Sequence, residues 1–225
     1  GVKARLSRKQ AAGHDLEALK RAIELAEALG GFVMIHVGDK ETPLETLTRH
    51  LRPGDVVTHA FRQWGGVAGA DRDVVDELRE ARGRGIVFDV GHGAGSCSFD
   101  TIGTALANDF LPDTISSDVS TISVEGPVFD QVTTLSKFMH LGMSLEQVIR
   151  LSTETTARTL GMADTLGTLK VGAEGDANIG ELAQARDQIE LHDVRLGHTG
   201  SVAVAHRIFH ADDVPHGVAQ THGKV

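Results

Sequence analysis

Short apolar runs alternate with segments of helical period through most of the chain. The runs "GVKARL" (1–6), "FVMIHVG" (32–38), "DVVTHAF" (55–61), "IVFDVGHG" (86–93) and "DTISSDVS" (113–120) read as strands, each bounded by glycine or polar turn residues. Between the first two, Leu16, Leu19, Ile23 and Ala26 recur at the three-four spacing of one helix face, and Gly30-Gly31 ends it. Thr42 and Glu45 have the spacing of a capping box with Pro43 at the first helical position, which predicts the start of a second helix. Val74, Val75 and Leu78 after Asp71 mark a third, and 99–109, with Ile102 and Leu106 inward, a fourth. Past the last strand, helices are predicted over 128–141, over 144–151 behind the box Ser144/Gln147, and in a short piece ending near Gly161.

Strands that recur at the spacing of one strand-helix unit imply an α/β fold of parallel strands joined by crossover helices. Such runs build either an open doubly wound sheet or a (β/α)8 barrel, and in both the chemistry sits at the carboxyl ends of the strands. Lys3, His36, His59, His92 and Asp118 lie at or near those ends, one from each successive strand. From "GTLKVGAEGDANIGEL" (167–182) the character changes to short strand-like pieces with glycine turns. The chain therefore divides into 1–166, the strand-helix repeat, and 167–225, a small β appendage followed by a tail. That tail carries His192, His198, His206, His210, His216 and His222 without a clear period, which reads as a solvated stretch more readily than as a metal tract.

Composition narrows the function classes. The 225 residues are 40% apolar, enough for a substantial core. A net charge of −9 with scattered Lys and Arg disfavours nucleic acid. No window approaches the eighteen or so uncharged apolar residues of a membrane helix. Cys97 is the only cysteine, which excludes an internal disulfide and points to a reducing, cytoplasmic setting; an inert, partly buried thiol is its plainest reading. A small-molecule partner fits best.

Imidazoles from consecutive parallel strands converge above a barrel, and with a carboxylate they make a Zn, Mn or Fe site. His36 and His59 meet that need. Asp118, in "SSDVS", is placed to bind metal through one oxygen and take a proton with the other. Viewed alone, His59 reads as a core histidine, Asp118 equally as a turn aspartate, and Lys3, beside Arg5 and Arg8, as a solvated charge.

The series "GVKARLS", "MIHVGD", "RPGDVVTHAF", "IVFDVGHGAGS", "PDTISSDVS" and "TTLSKFMHLGMSLEQVIRLST" resembles the amidohydrolase superfamily, and within it the dihydroorotase-like amidohydrolase/deacetylase metallohydrolases, over roughly residues 1–182. The resemblance implies a distorted (β/α)8 barrel with a small β-sandwich and a divalent metal site of one or two ions, zinc first and manganese or iron as alternatives. It matches Lys3 to a lysine that carbon dioxide carboxylates to bridge two metals, His36 and His59 to two later histidine ligands, and Asp118 to the ligand aspartate that also shuttles the proton. His92, on the strand before, then serves substrate contact or support of the ligands.

One departure stands out: the family's first-strand His-x-His occurs nowhere in this chain. If Lys3 stands on strand four, the chain corresponds to about strands 4 to 8 with a remnant of the sandwich, and roughly 100 to 150 residues of barrel precede Gly1. A half-barrel leaves parallel edges open unless a partner chain or a second copy, as in a homo-oligomer, closes it. Two functions are therefore expected. One is a metal-dependent hydrolase of an amide C–N or ester bond in a small acylated substrate, with metal-activated hydroxide and Asp118 as proton shuttle. The other is a non-catalytic half-barrel that acts only in assembly.

Overall fold

The computed structural model describes residues 1–69 and 73–174, all within one unit spanning Gly1–Ile179. Four strands, β1 (Val2–Leu6), β2 (Val33–Val37), β3 (Val56–Thr58) and β4 (Val87–Phe88), form a parallel sheet in sequential order, as the alternation predicts. In register, Arg5 lies beside His36, His36 beside Thr58, and Val57 beside Phe88. Ala4, Leu6, Val33, Ile35, Val37, Val57 and Phe88 point to one face and are buried. Lys3, Arg5, Met34 and His36 alternate to the other, partly exposed face. The two faces thus separate core from chemistry at every second residue.

Helices follow the strands. Between β1 and β2 lie α1 (Arg8–Ala11) and α2 (Asp15–Ala28); α2 packs Leu19, Ala22 and Ala26 into the core and lies against β1 and β2. Then come α3 (Leu44–Thr48) before β3, α4 (Asp76–Gly83) before β4, and α5 (Phe99–Ala107), α6 (Gln131–His140), α7 (Leu145–Ser152) and α8 (Glu154–Thr159) after it. Ser144 and Gln147 close the expected capping box on α7. Beneath the sheet Phe110 meets Phe88 edge-on at 5.2 Å, and the Arg82 guanidinium lies 3.9 Å from the Phe110 ring centre, covering the aromatic cluster with its cation.

Asp55 secures the end of the sheet away from the rim. Buried, it accepts hydrogen bonds from the Val33 backbone at 2.7 Å and from the backbone and guanidinium of Arg52. That bond network raises the Arg52 pKa, and it ties the start of β2 to the start of β3.

Several expectations need correction. The Thr42/Glu45 box does not form: α3 starts at Leu44 with Pro43 at its N-cap. The reason is Asp15, buried at the start of α2, whose Oδ2 takes the backbone N–H of Thr42 at 2.9 Å and of Glu41 at 3.2 Å. Strand 55–61 stops at Thr58, where His59 turns to φ +62, and strand 86–93 keeps only Val87–Phe88, since its pairing with the shortened β3 ends at Val57–Phe88. Segment 113–120 follows β4 only through the parallel bridges Asp89–Thr114 and His92–Ser117. Helix 128–141 begins at Gln131, where the Asp130 side chain accepts from Thr133 N at 2.6 Å. Of the expected β appendage, 167–174 holds turns and no strand, while 175–225, with all six tail histidines, lies outside the described residues.

Candidate metal centre

The rim is built where the strands end. His36, in β2, and His59, just past β3, bring His36 Nδ1 and His59 Nε2 to 2.9 Å, with ring centres 4.2 Å apart. His59 is buried, and its left-handed backbone turns the ring so that Nδ1–H donates to Gly91 O at 2.6 Å. This fixes the tautomer: His59 Nε2 carries the lone pair, and His36 Nδ1–H donates to it. Only glycine fits at 91, because a Cβ there would stand 2.2 Å from Thr58 Oγ1 and 2.8 Å from His59 Nδ1.

Asp118 Oδ2 lies 3.8 Å from His59 Nε2. The carboxylate is 60% exposed, so it stands at the mouth of the site and not in its floor. Its backbone N–H donates to His92 O at 2.8 Å, and a Cβ on Gly93 would come within 3.1 Å of Oδ2. Lys3, expected at a carboxyl strand end, is instead the second residue of β1, paired with Met34 while Arg5 pairs with His36; it is exposed on the same face, and its charge acts on both imidazoles. Burial first, then the neighbouring His59, Arg5 and Lys3, bring the His36 pKa down to about 4; burial also lowers that of His59. Both rings are therefore neutral near pH 7. Among the described residues, no group of three or more His, Cys, Asp or Glu side chains stands together as a ready metal cluster.

His92 takes a supporting position. It is buried, its Nδ1–H donates to Gly93 O at 3.1 Å, and its Nε2 accepts from Lys137 Nζ at 2.7 Å, which engages both ring nitrogens. Lys137, on the buried face of α6, also donates to Pro127 O. Burial lowers the Lys137 pKa to about 8 and raises that of Cys97, close enough to feel the lysine charge, to about 12, which leaves the thiol inert at neutral pH.

Burial, then the Lys137 charge, lowers the His92 pKa to about 4 from an ordinary 6.5. In the unfolded chain His92 takes up a proton near 6.5, so between these values the unfolded state binds the extra proton and stability falls as pH drops. We expect this residue to account for a loss of about 2 kcal/mol between pH 7 and pH 5. Urea unfolding of His92→Asn should show an acid loss smaller by that amount; an unchanged pH slope would remove His92 as its source.

Sequence reasoning missed Asp89 and Lys137. Asp89 is buried behind His59 and accepts from Thr58 Oγ1 at 2.6 Å, Thr114 Oγ1 at 2.7 Å and Ser116 Oγ at 2.8 Å. Its signal was available: a carboxylate inside the apolar run "IVFDVG" has to be paired. Lys137 carries no such signal, since a lysine in an amphipathic helix normally faces water.

Comparison with known proteins places this chain in a family. Residues 70–213 match the sequence model of the amidohydrolase family. The chain is 32% identical to a deacetylase of Agrobacterium fabrum over 82% of this chain and 46% of that protein, and 30% identical to a deacetylase of Enterococcus faecalis over 80% and 49%. Two solved structures superpose on it: an adenine deaminase (TM-score 0.71, 31% identity, 78% of this chain and 49% of that one) and a dihydroorotase (TM-score 0.68, 32%, 72% and 44%). The chain spans about half the length of the curated relatives it matches, and its sheet and helices are part of a (β/α)8-type barrel. With the family matched over more than half of its residues, the chain belongs to the amidohydrolase family.

Proposed function

We propose that this chain supplies the later-strand half of a metal-dependent hydrolase, which cleaves an amide C–N or ester bond in a small acylated substrate, with deacetylation as the specific reaction. The observation that carries it is the His36 Nδ1 and His59 Nε2 pair, 2.9 Å apart on the rim with Asp118 Oδ2 3.8 Å from the second nitrogen. The deacetylase names of the curated relatives support the choice of bond.

The family implies a divalent metal, and the residues present fit one. His59 Nε2 carries a lone pair fixed by the Gly91 carbonyl, and His36 Nδ1, which donates to it here, offers its own lone pair once its proton moves to Nε2 of the same neutral ring. Neutral imidazole and carboxylate are donors for zinc, and equally for manganese or iron. His36, His59 and Asp118 would hold the ion, with Lys3, once carboxylated, as the bridging donor to a second. When bound, the metal supplies Lewis-acid polarisation of the scissile carbonyl and a nucleophile at neutral pH.

The rest is the work of this chain's own groups. Asp118 accepts the nucleophile's proton at Oδ2 and returns it to the leaving nitrogen or oxygen; its exposure at the mouth lets it reach both. His59 keeps its ring aimed because Nδ1–H is tied to Gly91 O, and the Asp89 hydroxyl cage holds the strand ends that carry it. His92 positions Asp118 through its backbone carbonyl. A single buried thiol fits a cytoplasmic setting, and no helix among the described residues is long and apolar enough to cross a membrane.

Metal analysis of the purified 225-residue chain tests this reading. After loading with zinc or manganese we expect weak binding that is released below the ordinary histidine value of 6.5, toward the lowered His36 pKa of about 4, and is lost in His59→Ala, since ligation needs neutral imidazole. A chain that retains no metal at pH 7.5 would sink the proposal and leave the assembly-only half-barrel.

A further inference from the structure

Beside the imidazole pair, the loops that follow β2 and β3 border an open recess of about 430 Å³ lined by Gly38, Asp39, Lys40, Arg62, Trp64 and Gly65. Gly38 joins it to the metal centre, since a Cβ there would lie 3.4 Å from His36 Cδ2. Two cations share its wall. Arg62 Nη1 donates to Val37 O at 3.1 Å and Lys40 Nζ to Gly65 O at 2.9 Å, which anchors both side chains at neutral carbonyls. The Arg62 Nε–H is buried with no hydrogen-bond partner. The ion pairs among the described residues include neither cation. Asp39, the one carboxylate among the described lining residues, is 78% exposed and stands 3.8 Å from Arg8, while its charge also acts on Arg62 and Lys40. Burial lowers the pKa of both groups and Arg62 lowers that of Lys40 further; Asp39 acts on both in the opposite sense, as do Glu45 and Asp15 on Lys40, without offsetting the burial. Trp64 completes the wall with an indole that is 72% exposed.

A guanidinium and an ammonium held in one recess by neutral carbonyls, with Asp39 as the one described carboxylate of its lining, leave an excess of positive charge that an anion relieves, and a guanidinium presents a planar fork to a carboxylate. An exposed indole gains by covering a flat apolar group. We propose that Lys40, Arg62 and Trp64 form a subsite for a small organic carboxylate bearing a planar apolar group, and that this subsite presents such a molecule to the His36–His59 pair. Its binding half stands independently; its place in catalysis rests on the hydrolase reading. The volume is that of a small-molecule pocket.

Trp64 is the only tryptophan of the chain, so its emission reports on this recess alone. The probes are N-acetylphenylalanine and the corresponding N-acetylphenylalanine amide, which differ only in the carboxylate, titrated into the 225-residue chain and followed by Trp64 emission and calorimetry. We expect the acid to bind about tenfold or more tightly than the amide, and this preference to vanish in Arg62→Gln and to shrink in Lys40→Gln. Circular dichroism checks that each variant folds, and should Arg62→Gln fail to fold, Lys40→Gln decides. Equal affinity for acid and amide, a preference intact in the folded variants, or no binding of either up to about 10 mM would overturn the subsite. The two readings separate cleanly. Arg62-dependent binding with no turnover by a complete barrel containing this chain discards hydrolysis and keeps the subsite, whereas turnover with an unchanged KM in Arg62→Gln does the reverse.

Discussion

On the proposed hydrolase reading, replacing Asp118 by asparagine is expected to lower kcat of a complete barrel containing this chain by about 100- to 10,000-fold, the range spanned by a lost general acid-base group. The amide keeps the shape of the side chain and can still face His59 Nε2, but it cannot accept a proton at the pH of the reaction. Stability should hardly move. Asp118 is 60% exposed, and its structural ties run through the backbone, from its N–H to His92 O and from Ser123 Oγ to its carbonyl. Exposed positions of this kind change stability by about 0.5 kcal/mol or less. Steady-state kinetics beside a urea titration separates the two effects, and turnover within tenfold of wild type would take Asp118 out of the mechanism.

Asp89→Ala is expected to produce the opposite result, a large loss of stability. The buried carboxylate gathers the hydroxyls of Thr58, Thr114 and Ser116 between 2.6 and 2.9 Å, and its backbone donates to Val57 O and accepts from Ala60 N. It therefore pins the end of β3, the end of β4 and the 114–117 segment to one another. Truncation leaves a void and three hydroxyls without their charged acceptor, each desolvated group costing about 1 to 3 kcal/mol when unpaired. Some hydroxyls can turn to backbone carbonyls, so we expect the unfolding free energy to fall by about 3 to 5 kcal/mol in total. Asp89→Asn, which keeps the volume and one acceptor oxygen, should lose less. A loss under about 1 kcal/mol for Asp89→Ala would mean that the cage is not what joins these strands.

The parallel strands and the cores of the helices were legible because burial writes itself into the sequence with a period. Ala4, Leu6, Ile35 and Val37 alternate with polar or less buried neighbours, and of the expected face of α2 Leu19 and Ala26 are buried while Leu16 and Ile23 pack partly buried against the core. The positions of the rim histidines followed from the same alternation, since a parallel strand delivers its last polar residue to a common edge. Element boundaries were less legible where a tertiary partner competed for the backbone. Asp15 took the N–H of Thr42 that the capping box required, and strand 55–61 ended early where His59 turns left-handed.

What the sequence by itself determined is the order of the parallel strands, because it follows from periodicity and from the short connections between neighbouring elements. What only the tertiary structure decided is how the rim residues meet. The tautomer of His59 depends on the carbonyl of Gly91, thirty-two positions away, and the satisfaction of Asp89 depends on hydroxyls from two other segments. The burial of Lys137 against His92 crosses forty-five positions. The recess of Lys40, Arg62 and Trp64 is assembled from two loops that share no pattern. Hydrogen bonds and electrostatic fields act through space, whereas a sequence pattern records only each residue's preference for core or water; contacts between polar groups distant in the chain leave no period to read.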